Sequence, residues 1–498
     1  MAYQLFFGDL HNHNSVGLFH YSKGSLERTI EIARSHLDFF AFTGHSHWHD
    51  MPPMPNEGHL KWQEGFDHHT KLWPKTKQLM AAANDDGKFV AFLGYEWHSA
   101  EYGDRSVIFK NDDGDLVHAS CIEELTAYAR EKGALLVPHH IGYKSGLPGR
   151  GANWDAIDNS VMPLLEIFSE HGGHERDRGP WPYLRHTNGP RTSLNTLQHG
   201  LALGKKLGVV CSTDDHFGYP GAYGEGLAAV YAEEKTRASI WEALWARRTY
   251  GVTGDRIELT FTINDAAMGS ILPRTSDHHI EVGVRGWDDI AMVEIVKNNR
   301  VLHRHFPEDA ADLERPFSGP VLCRIEFGWG PWAALGIPRV ADWVMTARLE
   351  GGRFGRYMPC FQSGPMDEER RNKVLEFGDD VCRWQSYTSR AGCFAETPTN
   401  AVVFEIEGGP DAALNLELES PSTKSFRYRL GDLMTSSEIE FTADFPCESL
   451  LIHRLVPETM YATRMEIHDK GTTDDFYYVR VTQANGQMAW SSPIWIGE

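Results

Sequence analysis

The chain has 498 residues, too many for one ordinary core, so at least two domains are expected. Its balance of 41% hydrophobic and 23% charged residues is that of a folded globular protein and excludes a disordered or fibrous chain. A formal charge of −21 repels nucleic acid phosphates and anionic membranes, leaving a small molecule as the expected partner.

From the N-terminus to about residue 255, short apolar runs alternate with helix-like stretches. The runs are Gln4–Phe7, Asp38–Thr43, Phe89–Tyr95, Ala134–Pro138, Leu164–Phe168, Val209–Ser212 and Leu227–Tyr231. Each is the length of a strand buried on both faces. Helices are expected over Ser25–Ser35, Ile122–Glu131, Leu194–Leu207 and Ala238–Arg247. This order reads as a βα barrel or an open parallel sheet. Past Thr253-Gly254 the texture becomes alternation, as in IELTFTIND, HHIEVGVRG and YYVRVTQANG, which is antiparallel strand. Domains are therefore expected at 1–255 and 256–498, the second mostly β with an irregular insertion near 306–400. The seven cysteines are scattered without CxxC spacing and read as reduced thiols. The chain shows no basic, apolar leader pattern and no run of 18 apolar residues, so a cytoplasmic location is expected.

Histidine carries the functional signal. Nineteen of the 25 histidines precede residue 220, and ligand-type residues follow the end of one expected strand after another. His11 and His13, two apart, face the same side of an extended chain and can share one cation. His45 follows the second run, Glu96 and His98 the third, His139 and His140 the fourth, Glu166 and His171 the fifth, Asp214 and His216 the sixth. One feature of this kind is as easily a capping or surface residue. Six in order point to a metal centre at the strand ends, where a βα barrel keeps its active site.

The motifs DLHNH at 9–13, FTGH at 42–45, GYEW at 94–97, PHH at 138–140, SEHG at 169–172 and TDDH at 213–216 resemble the PHP (polymerase and histidinol phosphatase) superfamily over about residues 5–255. The closing AWSSPIW at 489–495 is similar to long, poorly characterised members of that superfamily. The resemblance implies an α/β fold, a distorted (β/α)7 barrel followed by a mostly β C-terminal domain. It also implies two or three divalent cations, Zn, Mn or Fe. His11, His13, Glu96 and Asp214 would hold the first, and Glu96 would bridge to a second completed by His139 and His171, with His140 the alternative to His139. His45 and His216 would belong to a third. Two positions depart from the family pattern: Gly44 stands where Asp is usual, and Gly17 is nearest to a missing His or Asp. His20, His47 and His49 are candidates to compensate, or surface residues.

These residues imply a hydrolase that activates water between two cations, with Glu96, Asp214, Asp215 and His216 as its catalytic groups. Proton delivery falls to His216 or Asp215. Asp9 and Asp215 are read as partners that orient imidazoles. The loop GYKSGLPGRG at 142–151 offers Lys144 and Arg150 to an anionic substrate, with His20 beside them, or is simply a surface loop. Small phosphoesters are the leading substrate class. A lactonase or amidase is the alternative, and a non-catalytic metal-stabilised binding protein is a third reading. Homo-oligomerisation is left open.

Overall fold

The computed structural model describes residues 3–183, 189–307, 317, 320–329, 340–364, 366–389, 398–471 and 474–497. In the first half, β1 (Gln4–Asp9), β2 (Phe39–Ala41), β3 (His45–Trp48), β4 (Val90–His98), β5 (Arg105–Phe109) and β6 (Leu135–Pro138) are interleaved with three helices. These are α1 (Leu26–His36), α2 (Gly58–Ala83) and α3 (Ile122–Lys132). Four further strands follow: β7 (Leu164–Glu166), β8 (Gly208–Val210), β9 (Leu227–Ala232) and β10 (Thr249–Val252). Ser25 caps α1, its side chain accepting from the Arg28 amide at 3.3 Å, as an N-terminal serine before an apolar stripe should.

The expected (β/α)7 barrel is not formed. The main sheet runs β10-β9-β1-β2-β4-β5-β6, and no strand among the described residues closes it. Only β1–β2 and β2–β4 pair in parallel along that path; β1–β9, β4–β5 and β5–β6 are antiparallel. The physical reason lies partly in the connection from β4 to β5, residues 99–104, which is too short for the helical crossover that parallel neighbours require. β7 and β8 form a separate parallel pair. Strand outweighs helix overall, 43% against 18%.

Past β10 the same sheet continues into the far end of the chain: Tyr250–Val252 pair with Ala489–Ser491, and Met488–Ser491 pair in turn with Phe476–Gln483. A second, nine-stranded sheet holds Val321–Gly328, Val340–Cys360, Lys373–Phe377, Val381–Ser389 and Thr399–Ser420. Its core follows the strand period of two, with Cys323, Ile325 and Phe327 meeting Trp343, Met345 and Ala347. The six described cysteines are all free thiols, and Cys393 lies outside the described residues. No described helix is long and apolar enough to cross a membrane.

Arg480 ties the two halves together. Its guanidinium, 2% exposed, lies 2.7 Å from Glu175 of the first half and 2.5 Å from Glu294 of the second, and the Tyr478 hydroxyl donates to Glu175 at 2.5 Å. Removing the cation leaves the two buried carboxylates only the partly exposed Arg176, 3.4 Å from Glu175, and the exposed Arg304, 2.9 Å from Glu294, as counter-charges among the described residues. Arg480→Met should therefore cost about 3–5 kcal/mol in urea unfolding. Adding Glu175→Gln and Glu294→Gln should recover most of that loss.

Candidate metal centre

Six segments deliver imidazoles and carboxylates to one buried point. His11 and His13 follow β1 in extended chain, and Asn12 between them turns away to donate to the Ala41 carbonyl at 2.8 Å. His45 and Glu96 sit opposite each other where β3 pairs with β4. His139 and His140 follow β6. Consecutive residues of an extended strand point to opposite sides, but His140 has φ 50°, and that left-handed bend turns both imidazoles inward. Asp214 has φ 56°, a second non-glycine residue in this sparsely populated region at a ligand position.

Glu96 and Asp214, each 1% exposed, are the two hubs. Around Glu96, Oε2 lies 2.6 Å from His45 Nδ1 and 3.5 Å from His13 Nε2, and Oε1 lies 2.8 Å from His139 Nε2 and 3.3 Å from His98 Nδ1. Around Asp214, Oδ1 lies 2.8 Å from His13 and 3.2 Å from His11, and Oδ2 lies 3.1 Å from His140 and 3.0 Å from His171. Both members of the doubled histidine thus reach the cluster, on different carboxylates, and His171 stands with His140 rather than with His139. His216 closes the ring, with Nε2 3.3 Å from His45 Nε2 and Nδ1 3.1 Å from Glu170.

These contacts fit cations better than they fit protons. His13 Nε2 is 3.2 Å from His11 Nε2 while also 2.8 Å from Asp214, and one N–H satisfies only one such neighbour. Two nitrogens held at Zn-like distances in tetrahedral geometry stand roughly 3.3 Å apart. The His11–His13 and His45–His216 pairs, at 3.2 and 3.3 Å, match that edge. Ligand atoms of His11, His13 and Asp214, of His45, Glu96 and His98, of His140, His171 and Asp214, and of His13, His45 and His216 lie within 4.8 Å of one another in each set.

The last set is entirely imidazole, and the reason is steric. A Cβ at Gly17 would lie 2.6 Å from the His45 backbone nitrogen, and one at Gly44 would lie 2.6 Å from the Phe42 ring. Neither position has room for a carboxylate. His47 stacks on His118 at 4.6 Å and His49 on Trp97 at 5.2 Å, both outside these sets. His20 pairs with Glu64 at 2.9 Å.

Among the remaining sequence candidates, Asp9 and Asp215 bind backbone rather than imidazole. Asp9 accepts from the amides of His11 and Thr213, both at 3.1 Å, and Asp215 from those of Phe217 and Tyr219 at 2.9 and 2.7 Å. They fix the loops that carry His11, Asp214 and His216. Arg150 is buried beside the cluster, 2.8 Å from Asp104 and 3.2 Å from His98, with its guanidinium 4.5 Å over Trp48. Lys144 is exposed. Trp62 stands 5.2 Å from His45. Asp104, Glu170 and the Glu166 carboxylate, 3.0 Å from His11 Nδ1, complete the outer ring. Asp104 follows a short turn with no motif of its own. Glu170 was visible only as the residue before His171.

Burial governs the protonation of this ring. It pushes His45 down to about 4 despite Glu96, and His140 down to about 3 despite Asp214. For His11, burial is outweighed by Asp214 and Glu166, which push it up to about 10. For His216 it is outweighed by Glu170 and Asp214, which push it up to about 9. At pH 7 without cations, His11 and His216 hold protons while His45 and His140 are neutral. Metal must then displace protons, since a ligating imidazole needs its lone pair. Titrating a transition metal into metal-free protein at pH 7, in buffers of different ionisation enthalpy, should show net release of protons as the chain loads. Affinity should fall as pH falls. Uptake without proton release would contradict this assignment.

Residues 205–267, which include the Asp214–His216 loop, match a family described as a protein of unknown function, DUF3604. The chain is similar to an uncharacterized protein of Chlamydia trachomatis, 27% identical over 49% of this chain and 43% of that one. It is also similar to one of Chlamydia pneumoniae, 26% identical over 48% and 41%. The matched region spans less than half the length of these curated relatives. Among solved structures it is similar to a two-domain protein from Bacteroides vulgatus containing a predicted PHP-like metal-dependent phosphoesterase. There the identity is 13% over 86% of this chain and 95% of that one, at a TM-score of 0.33, an overlap too loose to specify a shared fold.

Proposed function

We propose that this protein is a PHP-type metal-dependent hydrolase of small anionic phosphoesters. The observation that carries the reading is the convergence of His11, His13, His45, His139, His140 and His171 on the buried carboxylates of Glu96 and Asp214, with His216 against His45. Those nine residues would hold two or three divalent cations, with His98 a further donor. Such cations, when bound, acidify water and polarise a phosphoryl oxygen.

The chain's own residues then have separable tasks. Glu96 and Asp214 each present two oxygens to different histidines, so each spans two parts of the cluster and fixes their spacing. His216 is the most exposed of the nine, at 19%, and its Nδ1 lies 2.7 Å from the Asp214 carbonyl oxygen and 3.1 Å from Glu170 Oε1. With His216 on a cation, proton delivery to a leaving oxygen falls to its acidic neighbours, Glu170 and Asp215, the latter raised to about 7 by burial and by Glu170. Asp215 also holds the loop, its Oδ1 accepting from the Phe217 and Tyr219 amides. On the other side Arg150, pinned by Asp104 and stacked on Trp48, is a fixed positive charge that favours an anionic substrate. Lys144 and His20 lie farther out and would act only on a larger substrate.

Phosphate release from a panel of small phosphomonoesters, run beside lactones and amides, tests the reading. Turnover of phosphoesters is expected, with Glu96→Gln and Asp214→Asn each losing about 100-fold or more in kcat/KM. Arg150→Ala should act mainly by raising KM. Turnover confined to lactones or amides would replace the phosphoester assignment. Metal-loaded protein inert on the whole panel would remove the hydrolase reading.

A further inference from the structure

A cavity of about 670 Å³ opens at the seam between the two halves, and its lining includes none of the nine metal-centre residues. One wall is Tyr223–Glu225, on the loop that continues from Asp214 and His216; the facing wall comes from the nine-stranded sheet, with Arg324 and Glu326 on one strand. The Tyr223 amide donates to the Phe361 carbonyl at 2.8 Å, so the walls are joined by backbone. The size is that of a small-molecule pocket.

Charge narrows the ligand. Arg324 is committed to Asp255, with Nη2 at 3.2 and 3.4 Å from its two oxygens. Glu225, Asp288 and Glu326 also line the cavity, with the His453 imidazole 2.8 Å from Glu326. The carboxylates are in surplus, so an anion is disfavoured and a neutral or cationic molecule is favoured. Hydrogen-bonding geometry narrows it further, because planar groups are held in place there, Glu326 through both oxygens by Thr399 and His453 and two side-chain amides by a bond to one side. Glu326 Oε1 accepts from Thr399 at 2.7 Å, Gln362 Nε2 donates to the Thr399 carbonyl at 2.8 Å, and Gln487 Oε1 accepts from Thr253 at 2.6 Å. Fixed planar groups of this kind match pairs of neighbouring hydroxyls, which donate and accept together. Trp181 adds an aromatic surface at the cavity wall.

We propose that this seam cavity is a second binding site, separate from the metal centre, for a neutral or cationic polyhydroxylated molecule of the saccharide or amino-saccharide class. The test is calorimetric titration of the full chain with glucose, glucosamine and glucuronate as probes. Glucose and glucosamine are expected to bind, glucosamine the tighter, with glucuronate weaker by about tenfold or more. Glu326→Gln should weaken glucosamine by about tenfold and erase its advantage over glucose, while Gln362→Ala should weaken both, with metal content and melting temperature unchanged. Equal affinity for all three probes, no binding of any of them, or binding unaltered in both folded variants would overturn the proposal.

Discussion

Two buried carboxylates, Glu96 and Asp214, set the terms for the first half of this molecule. A carboxylate at 1% exposure cannot stay charged without close positive partners, and here both are surrounded by imidazoles, of which burial keeps His13, His45 and His140 neutral. Neutral rings offer dipoles and lone pairs but too little charge. The arrangement becomes self-consistent when cations supply that charge and the rings act as ligands. The loops gripped by Asp9 and Asp215, the left-handed turns at His140 and Asp214, and the glycine contact of Gly17 with Gly44 all serve to bring the donors to one point.

The sheet that presents this centre is one body with the C-terminal strands. Tyr250–Val252 hydrogen-bond to Ala489–Ser491, and Ser492 Oγ accepts from the Val209 amide at 2.8 Å, one residue from the end of β8. The Asp214–Gly226 loop in turn leans on Phe361 and Ser363 of the second sheet. A ligand or substitution at the seam therefore acts on backbone continuous with two candidate metal ligands.

How far the sequence could be read follows from the range of the forces involved. The pairing of His11 with His13 needed only the period of two, and the strands of the second half announced themselves by alternation. The convergence of nine candidate ligand residues was legible because they sit at or near the ends of buried apolar runs. The barrel was not, since parallel and antiparallel neighbours have the same composition, and only the short 99–104 connection hinted at reversal. The 26-residue helix α2 was also hidden: its buried stripe runs through Gly65, Phe66, His69, Trp73, Thr76 and Met80, and it carries Pro74 inside, so it has no clean apolar face and contains a helix breaker despite the Leu, Lys, Gln and Ala around it. The role of His98 as a further donor depends on Asp104 and Arg150 arriving from later segments, which no local pattern records.

The most direct test of this account is elemental analysis of the purified protein beside the Glu96→Gln variant, with circular dichroism to show that both are folded. About two or more equivalents of transition metal per chain are expected in the natural sequence, falling well below that in the variant. A folded protein that carries no transition metal and takes up none on reconstitution would contradict the assignment of these histidines to a metal centre.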